Sequence, residues 1–184
     1  TKQISLFEAS NINVVNNYQY RSGGGCYTMY RQRNTDNSKV AVVVEFENKE
    51  SNSLGKPIPK GKVRLYKSDG SGIEFIGEDL VDHTPRDEKI SLRIGDAFDV
   101  VASEVQTDNR RVSEKVQEET YQITLKNRKK EDVVVEVERY VGLNWEIMKS
   151  SVDYEKKNAQ TILFKVPVPK GKEVNLTFTV RHNY

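Results

Sequence analysis

Titratable side chains crowd most densely in GEDLVDHTPRDEK at 77–89, where Glu78, Asp79, Asp82, His83, Asp87 and Glu88 follow one another closely. Acid–base chemistry needs two titratable groups with pKa values pushed apart, and a metal needs ligands that converge. Asp79, Asp82, His83 and Asp87 are therefore the candidates for a hydrolytic or metal-assisted centre, which requires them to meet in one concave pocket. The spacing matches no calcium loop, and a single histidine is a thin ligand set for zinc. His83-Thr84-Pro85 also reads as a turn, with Pro85 fixing φ. The preferred reading is a solvated turn, and no catalytic residue, metal or cofactor is assigned.

Just upstream, Lys56, Lys60, Lys62 and Arg64 surround PIPKGK at 57–62, a pattern echoed by PVPKGK at 167–172. A phosphate loop is excluded: GKPIPKGKV at 55–63 has five residues between its glycines, Val63 where a hydroxyl must reach the metal, and two prolines without N–H groups. GSGIEFIG at 70–77 fails the dinucleotide fingerprint, since its third glycine comes late. The four basic residues fit either contact with an anionic polymer or, preferred, charges that solvate an edge and discourage edge-to-edge pairing. Both proline motifs then act as punctuation, releasing VRLY at 63–66 and VNLTFTV at 174–180 as the next strands.

Other chemistry is sparse. The single cysteine, Cys26, cannot form an internal disulfide, and as a nucleophile it would need His83 or His182 as its base. His182 is expected to be exposed and without a role. Tyr18, Tyr20, Tyr27 and Tyr30 interleave with Arg21, Arg31 and Arg33, a set that could stack on sugars or bases, although strands favour tyrosine too. With 29 basic and 27 acidic residues interspersed, the net charge is +2. No basic field exists to displace counterions, so nucleic acid is excluded as a partner. No apolar run is long enough for a membrane-spanning helix.

The elements that must position these residues are strands. Val40, Val42, Val44 and Phe46 share one parity, as do Ile90, Leu92 and Ile94, then Tyr121, Ile123 and Leu125, then Val133, Val135 and Val137. Trp145 with Ile147, then Ile162, Phe164 and Val166, then Val174, Leu176, Phe178 and Val180 continue the pattern. Alternation of this kind gives each strand one apolar and one polar face. SDGSG at 68–72 carries Asp-Gly, a hairpin signal, and NRKKED at 127–132 is expected to be a hairpin loop. RRVSEKVQEE at 110–119 is the best helix candidate and a poor one.

The fold class is therefore all-β, an antiparallel β-sandwich. Val112 and Val116 are even and Tyr121, Ile123 and Leu125 odd, which requires a bulge or a break between them. This places a β-rich module at 1–110 and an immunoglobulin-like sandwich at 111–184. Trp145 is expected to anchor the second core.

The stretch GKVRLYKSDGSGIEFIGEDLVDHTPRDEKISLRIGDAFDVVASEVQTDNRR at 61–111 resembles the C-terminal domain of unknown function of mucoidy-inhibitor-like bacterial proteins. TYQITLKNRKKEDVVVEVER, NWEIMKSS and VPVPKGKEVNLTFTVR continue the resemblance, which weakens across 21–39. It implies a β-rich domain that follows an N-terminal partner domain, often across a coiled coil, in an exported protein. A chain beginning at Thr1 suits a processed product or a piece of a longer protein. No catalytic residues carry over.

The expectation is thus a non-enzymatic interaction or structural module of a larger cell-envelope protein, extracytoplasmic, with other domains of the same chain, an envelope protein or a polysaccharide as partners. The alternative is the hydrolytic or metal-assisted enzyme at 78–88.

Overall fold

The computed structural model describes residues 8–23, 39–68, 70 and 72–184; Cys26, Tyr27, Tyr30, Arg31 and Arg33 lie outside them. In chain order the elements are β1 (Val15–Ser22), β2 (Lys39–Glu47), a 3-10 turn (Glu50–Asn52), β3 (Gly61–Ser68), β4 (Ile73–Val81), β5 (Lys89–Ser113), β6 (Val116–Asn127), β7 (Val133–Tyr140), β8 (Trp145–Ser150), β9 (Tyr154–Asn158), β10 (Thr161–Val168) and β11 (Glu173–Asn183). The fold is all-β, with no α-helix among the described residues. Nine strands join in the order β8-β11-β6-β5-β2-β1-β7-β10-β9, and β3 pairs with β4 in a separate two-stranded sheet. The pairing is mixed: β1 runs parallel to β7, Tyr18 opposite Val135 through Ser22 opposite Arg139.

The chain forms two compact units, Thr1–Asn17 with Val42–Gly95, and Tyr18–Ala41 with Asp96–Tyr184. The divisions fall inside β1, β2 and β5.

The second unit is built on alternation. Ile123, Leu125, Val133, Val135, Val137, Ile162, Phe164, Val166, Leu176, Phe178 and Val180 are buried, the alternate positions of β6, β7, β10 and β11. β11 pairs with β6 without a register break from Glu173 opposite Lys126 to Asn183 opposite Val116. The ring of Phe164 on β10 lies 5.1 Å from that of Phe178 on β11, so the two groups of strands face each other across one core. Tyr121 stacks on Phe178 at 5.6 Å and Tyr154 tilts against Phe164 at 6.2 Å. Trp145 departs from expectation: it is only partly buried, its indole N–H donates to the Ala159 carbonyl at 2.8 Å, and Lys156 Nζ sits 4.9 Å from its ring centre.

NRKKED also departs from expectation. β6 neighbours β11 and β5 while β7 neighbours β1 and β10, so 127–132 connects non-adjacent strands rather than closing a hairpin. Asn127 holds this connection. Its side-chain N–H groups donate to the Glu131 and Val168 carbonyls at 2.8 and 3.0 Å, and its Oδ1 accepts the Lys129 N–H. Residues 108–111 lie inside β5, and the parity change is absorbed by register shifts at Gln106/Asp108 and Arg111/Ser113 opposite a continuous β6.

In the first unit Val43, Val44, Ile90 and Leu92 are buried. β3 and β4 pair antiparallel, with Arg64 opposite Glu78 and a bulge after Leu65, while Asp69 of the Asp-Gly pair lies outside the described residues. β4 approaches β5 closely at Gly77, where an added Cβ would lie 2.4 Å from the Ile94 carbonyl oxygen. The first proline motif leads into β3 through a bridge between Ile58 and Thr84, which exchange N–H···O bonds of 2.9 Å each way. The second copy turns β10 into β11: Gly171 takes φ +65°, and the Lys172 N–H bonds the Pro169 carbonyl at 3.1 Å.

Candidate functional site

The basic and acidic clusters read from the sequence face each other in the first unit. Lys62 Nζ donates to Glu78 Oε1 at 2.6 Å and Arg64 Nε to Glu78 Oε2 at 3.3 Å. These two cations hold the Glu78 carboxyl below the usual carboxylate range. Both pairs are solvent-exposed ladder contacts of the kind that contribute little to stability. The Lys60 N–H donates to His83 Nδ1 at 3.3 Å, and Lys56 contributes its carbonyl to a buried amide, that of Asn48.

Asp79 and Asp82 spend their carboxylates on backbone N–H groups. Asp79 accepts the Leu80 N–H on Oδ1 and the Arg93 N–H on Oδ2, at 2.8 and 2.7 Å. Asp82 accepts the His83 N–H at 2.8 Å, and its carbonyl accepts the Thr84 hydroxyl at 2.9 Å. Asp87 occupies φ +64°, with its N–H bonded to the Asn48 carbonyl. Among the described residues no three Asp, Glu, His or Cys side chains are grouped to hold a metal ion. The structure therefore brings Lys60 together with His83, and Lys62 and Arg64 with Glu78, but does not gather Asp79, Asp82, His83 and Asp87 into one ligand set. Beside His83, a shallow groove of about 350 Å³ runs between Pro57, Ile58, Pro59 and Thr84-Pro85.

Asn48 is fully buried and ties these loops together. Its Nδ2 donates to the Lys56 and Pro85 carbonyls at 2.8 and 2.7 Å, and its Oδ1 accepts the Gly55 N–H at 3.0 Å. Nothing in NKESNSLGK marks the first asparagine as buried. Only the approach of two distant loops makes it so.

A second group of residues, not found from the sequence, lines a groove of about 530 Å³ in the first unit. Glu45, on β2, is one of them, with 9% of its surface exposed. Oε1 accepts the Ser91 hydroxyl at 2.8 Å, while Oε2 takes Lys89 Nζ at 2.6 Å and the Asn17 side-chain N–H. Burial raises the carboxyl, but the hydrogen bonds from Lys89, Ser91 and Asn17 outweigh it and hold Glu45 below the usual range. Asn52, also buried, accepts the Asn13 N–H at 2.6 Å and donates to the Glu47 carbonyl at 3.0 Å, fixing the groove wall. Val15, Phe46, Glu47 and Ser51 complete the lining. The sequence holds one signal for this site: Glu45 interrupts the apolar run VAVVVEF, and a carboxylate inside such a strand needs partners.

The second unit holds its own polar cluster. Arg139, 7% exposed, donates from Nη1 to Ser22 Oγ at 3.0 Å and to Glu104, and its guanidinium lies 3.8 Å from the Tyr121 ring centre. Burial foremost keeps the Tyr20 and Tyr121 hydroxyls well above the ordinary tyrosine range. Tyr18 accepts a hydrogen bond from Lys129 Nζ at 2.6 Å, so both described members of the tyrosine cluster are engaged within the fold. His182 is not exposed as expected: its side chain is mostly covered, 3.7 Å from Glu119.

No helix among the described residues is long and apolar enough to cross a membrane. No family model matches the chain, and no curated protein sequence does. Among solved structures, the folded domain of the Mycobacterium tuberculosis LppM protein is similar at 10% identity, over 100% of this chain and 97% of that one, with a TM-score of 0.26.

Proposed function

We propose that this chain is a non-catalytic interaction module of a larger, envelope-associated bacterial protein, and that its contact runs through the Glu45 groove. The observation that carries this reading is the groove itself: about 530 Å³, lined by amide, hydroxyl and charged groups, of which Asn17, Glu45, Asn52 and Lys89 are held in place by hydrogen bonds and an ion pair. That volume lies within the range of about 300–1,000 Å³ usual for ligand sites. Fixed polar groups reduce the entropy lost on binding, which suits recognition. The resemblance of 61–111 and the later segments to the mucoidy-inhibitor-like domain supports an extracytoplasmic setting, and the run of short alternating strands after 111 supports an immunoglobulin-like second module. Neighbouring domains of the same longer chain, an envelope protein and a polysaccharide are the partners in view.

The test places a photo-crosslinking amino acid at Ser51, in the groove lining, and separately at Lys157 on β9 as a control, in cells making the full-length protein. A discrete envelope crosslink from Ser51 alone is the expected result. Equal or no crosslinking from both positions overturns the reading.

A further inference from the structure

We infer that the Glu45 groove takes an uncharged, hydroxyl-rich glycan segment. This rests on the groove being the contact site, and adds the class of its ligand.

Charge weighs against the ionic alternatives. Lys89 bonds Glu45 at 2.6 Å, and Lys49 bonds Glu47 at 2.8 Å, so each carboxylate of the lining already has an ammonium partner from the same unit. An anionic ligand would compete with Glu45 for Lys89 and lie against the Glu45 and Glu47 carboxylates. A cationic ligand would have to displace Lys89 itself. Glu45 is the covered member of the pair, its side chain 11% exposed against 58% for Lys89, so either ligand would cost the carboxylate its one cation in a mostly dry setting.

What the groove still offers is neutral. The Asn13 amide, the Asn17 Oδ1 and the Ser51 hydroxyl line or border it without a side-chain partner for these atoms among the described residues. An amide presents a donor and an acceptor side by side, and a hydroxyl is both at once. Adjacent sugar hydroxyls need that same double capacity. Val15, 60% exposed, and half-buried Phe46 add an apolar surface for the C–H face of a sugar ring. An extended peptide is disfavoured because β2 is an interior strand, between β5 and β1, and β1 offers only residues 15–17, those before its pairing with β7 begins at Tyr18. An open ladder that short, against the about five or six residues usual for a strand, gives a further strand little to pair with.

The test follows backbone amide signals of the isotope-labelled full chain during titration with neutral hexasaccharides of glucose, mannose, xylose and N-acetylglucosamine. Hexagalacturonate and an uncharged heptapeptide are titrated in parallel. At least one neutral sugar is expected to shift Asn13, Asn17, Phe46 and Ser51. Its affinity is expected to change less than about twofold between about 50 and about 500 mM salt, because no counterions are released. Ser51→Trp, at an exposed position, is expected to weaken it about tenfold or more with an unchanged melting temperature. Shifts at these amides from hexagalacturonate or the peptide, with none from the neutral sugars, overturn the ligand class and leave the groove as the contact site. Shifts elsewhere only, an ineffective Ser51→Trp, or silence with every probe also overturn the glycan assignment; Ser51 crosslinking then decides the contact site separately.

Discussion

At the scale of single residues, the polar side chains with the most consequence are the ones inside. Asn48 satisfies two carbonyls and one N–H from two loops, and Asn127 does the same for the segment after β6. Asn48→Ala strands these groups away from water. It is expected to cost about 3 kcal/mol in chemical denaturation, against about 1 kcal/mol or less for an exposed asparagine such as Asn16. Glu45 makes an acid-limb prediction. Its native pKa lies below the unfolded value of about 4.3, so its stabilisation is complete above that value and is lost as pH falls through the native one. Glu45→Gln should therefore flatten the fall of melting temperature between about pH 5 and about pH 3. Parallel curves for the two proteins would contradict it. Glu45 was partly legible, as a carboxylate in an apolar run. Asn48 was not, because an asparagine in a polar loop looks the same whether the loop is solvated or closed upon.

Among the elements, alternation marked the strands of the second unit correctly wherever one face meets the core. Ile162, Phe164 and Val166 are all buried, as are Leu176, Phe178 and Val180. β2 breaks the rule: Val43, Val44 and Glu45 are consecutive and all buried, since both of its faces are covered. Trp145 shows the opposite failure, correct parity at a margin that stays open. Phe178→Ala is expected to cost about 3–5 kcal/mol by emptying the centre of the aromatic stack, and Trp145→Ala less than about half as much. Comparable losses of melting temperature would show Trp145 to be as deep as Phe178. The two proline motifs, identical in five of six letters, share their role of leading into a strand, and each is held by a buried asparagine through the carbonyl next to its first or third residue. They differ in partner, one bridged to Thr84 and the other turning β10 into β11. On the β3–β4 ribbon, Ile73 and Leu80 are 76% and 73% exposed, which alternation on an isolated ribbon does not foretell.

For the whole molecule, the question is which parts fold together. A chain division at 110/111 is tested by the fragment 111–184. That fragment lacks Val100–Arg110, most of the strand that pairs with β6, and Tyr18–Ser22, which pairs with β7. It is expected to lose the cooperative thermal transition of the full chain; a sharp transition near the full-chain melting temperature would instead establish a folding boundary there. From the sequence alone came the all-β class, the alternating strands and the reading of both proline motifs as entries to strands, because period-two burial and turn chemistry are local properties of the chain. Only the tertiary structure decided the parallel β1–β7 pairing, the connection at 127–132 that sequence order reads as a hairpin, and the pairing of Lys62 and Arg64 with Glu78. It alone assembled the Glu45 groove from residues 13–17, 45–52 and 89–91. Those depend on which distant segments meet, and a hydrogen-bonding group carries no record of its partner until the chain has brought the two together.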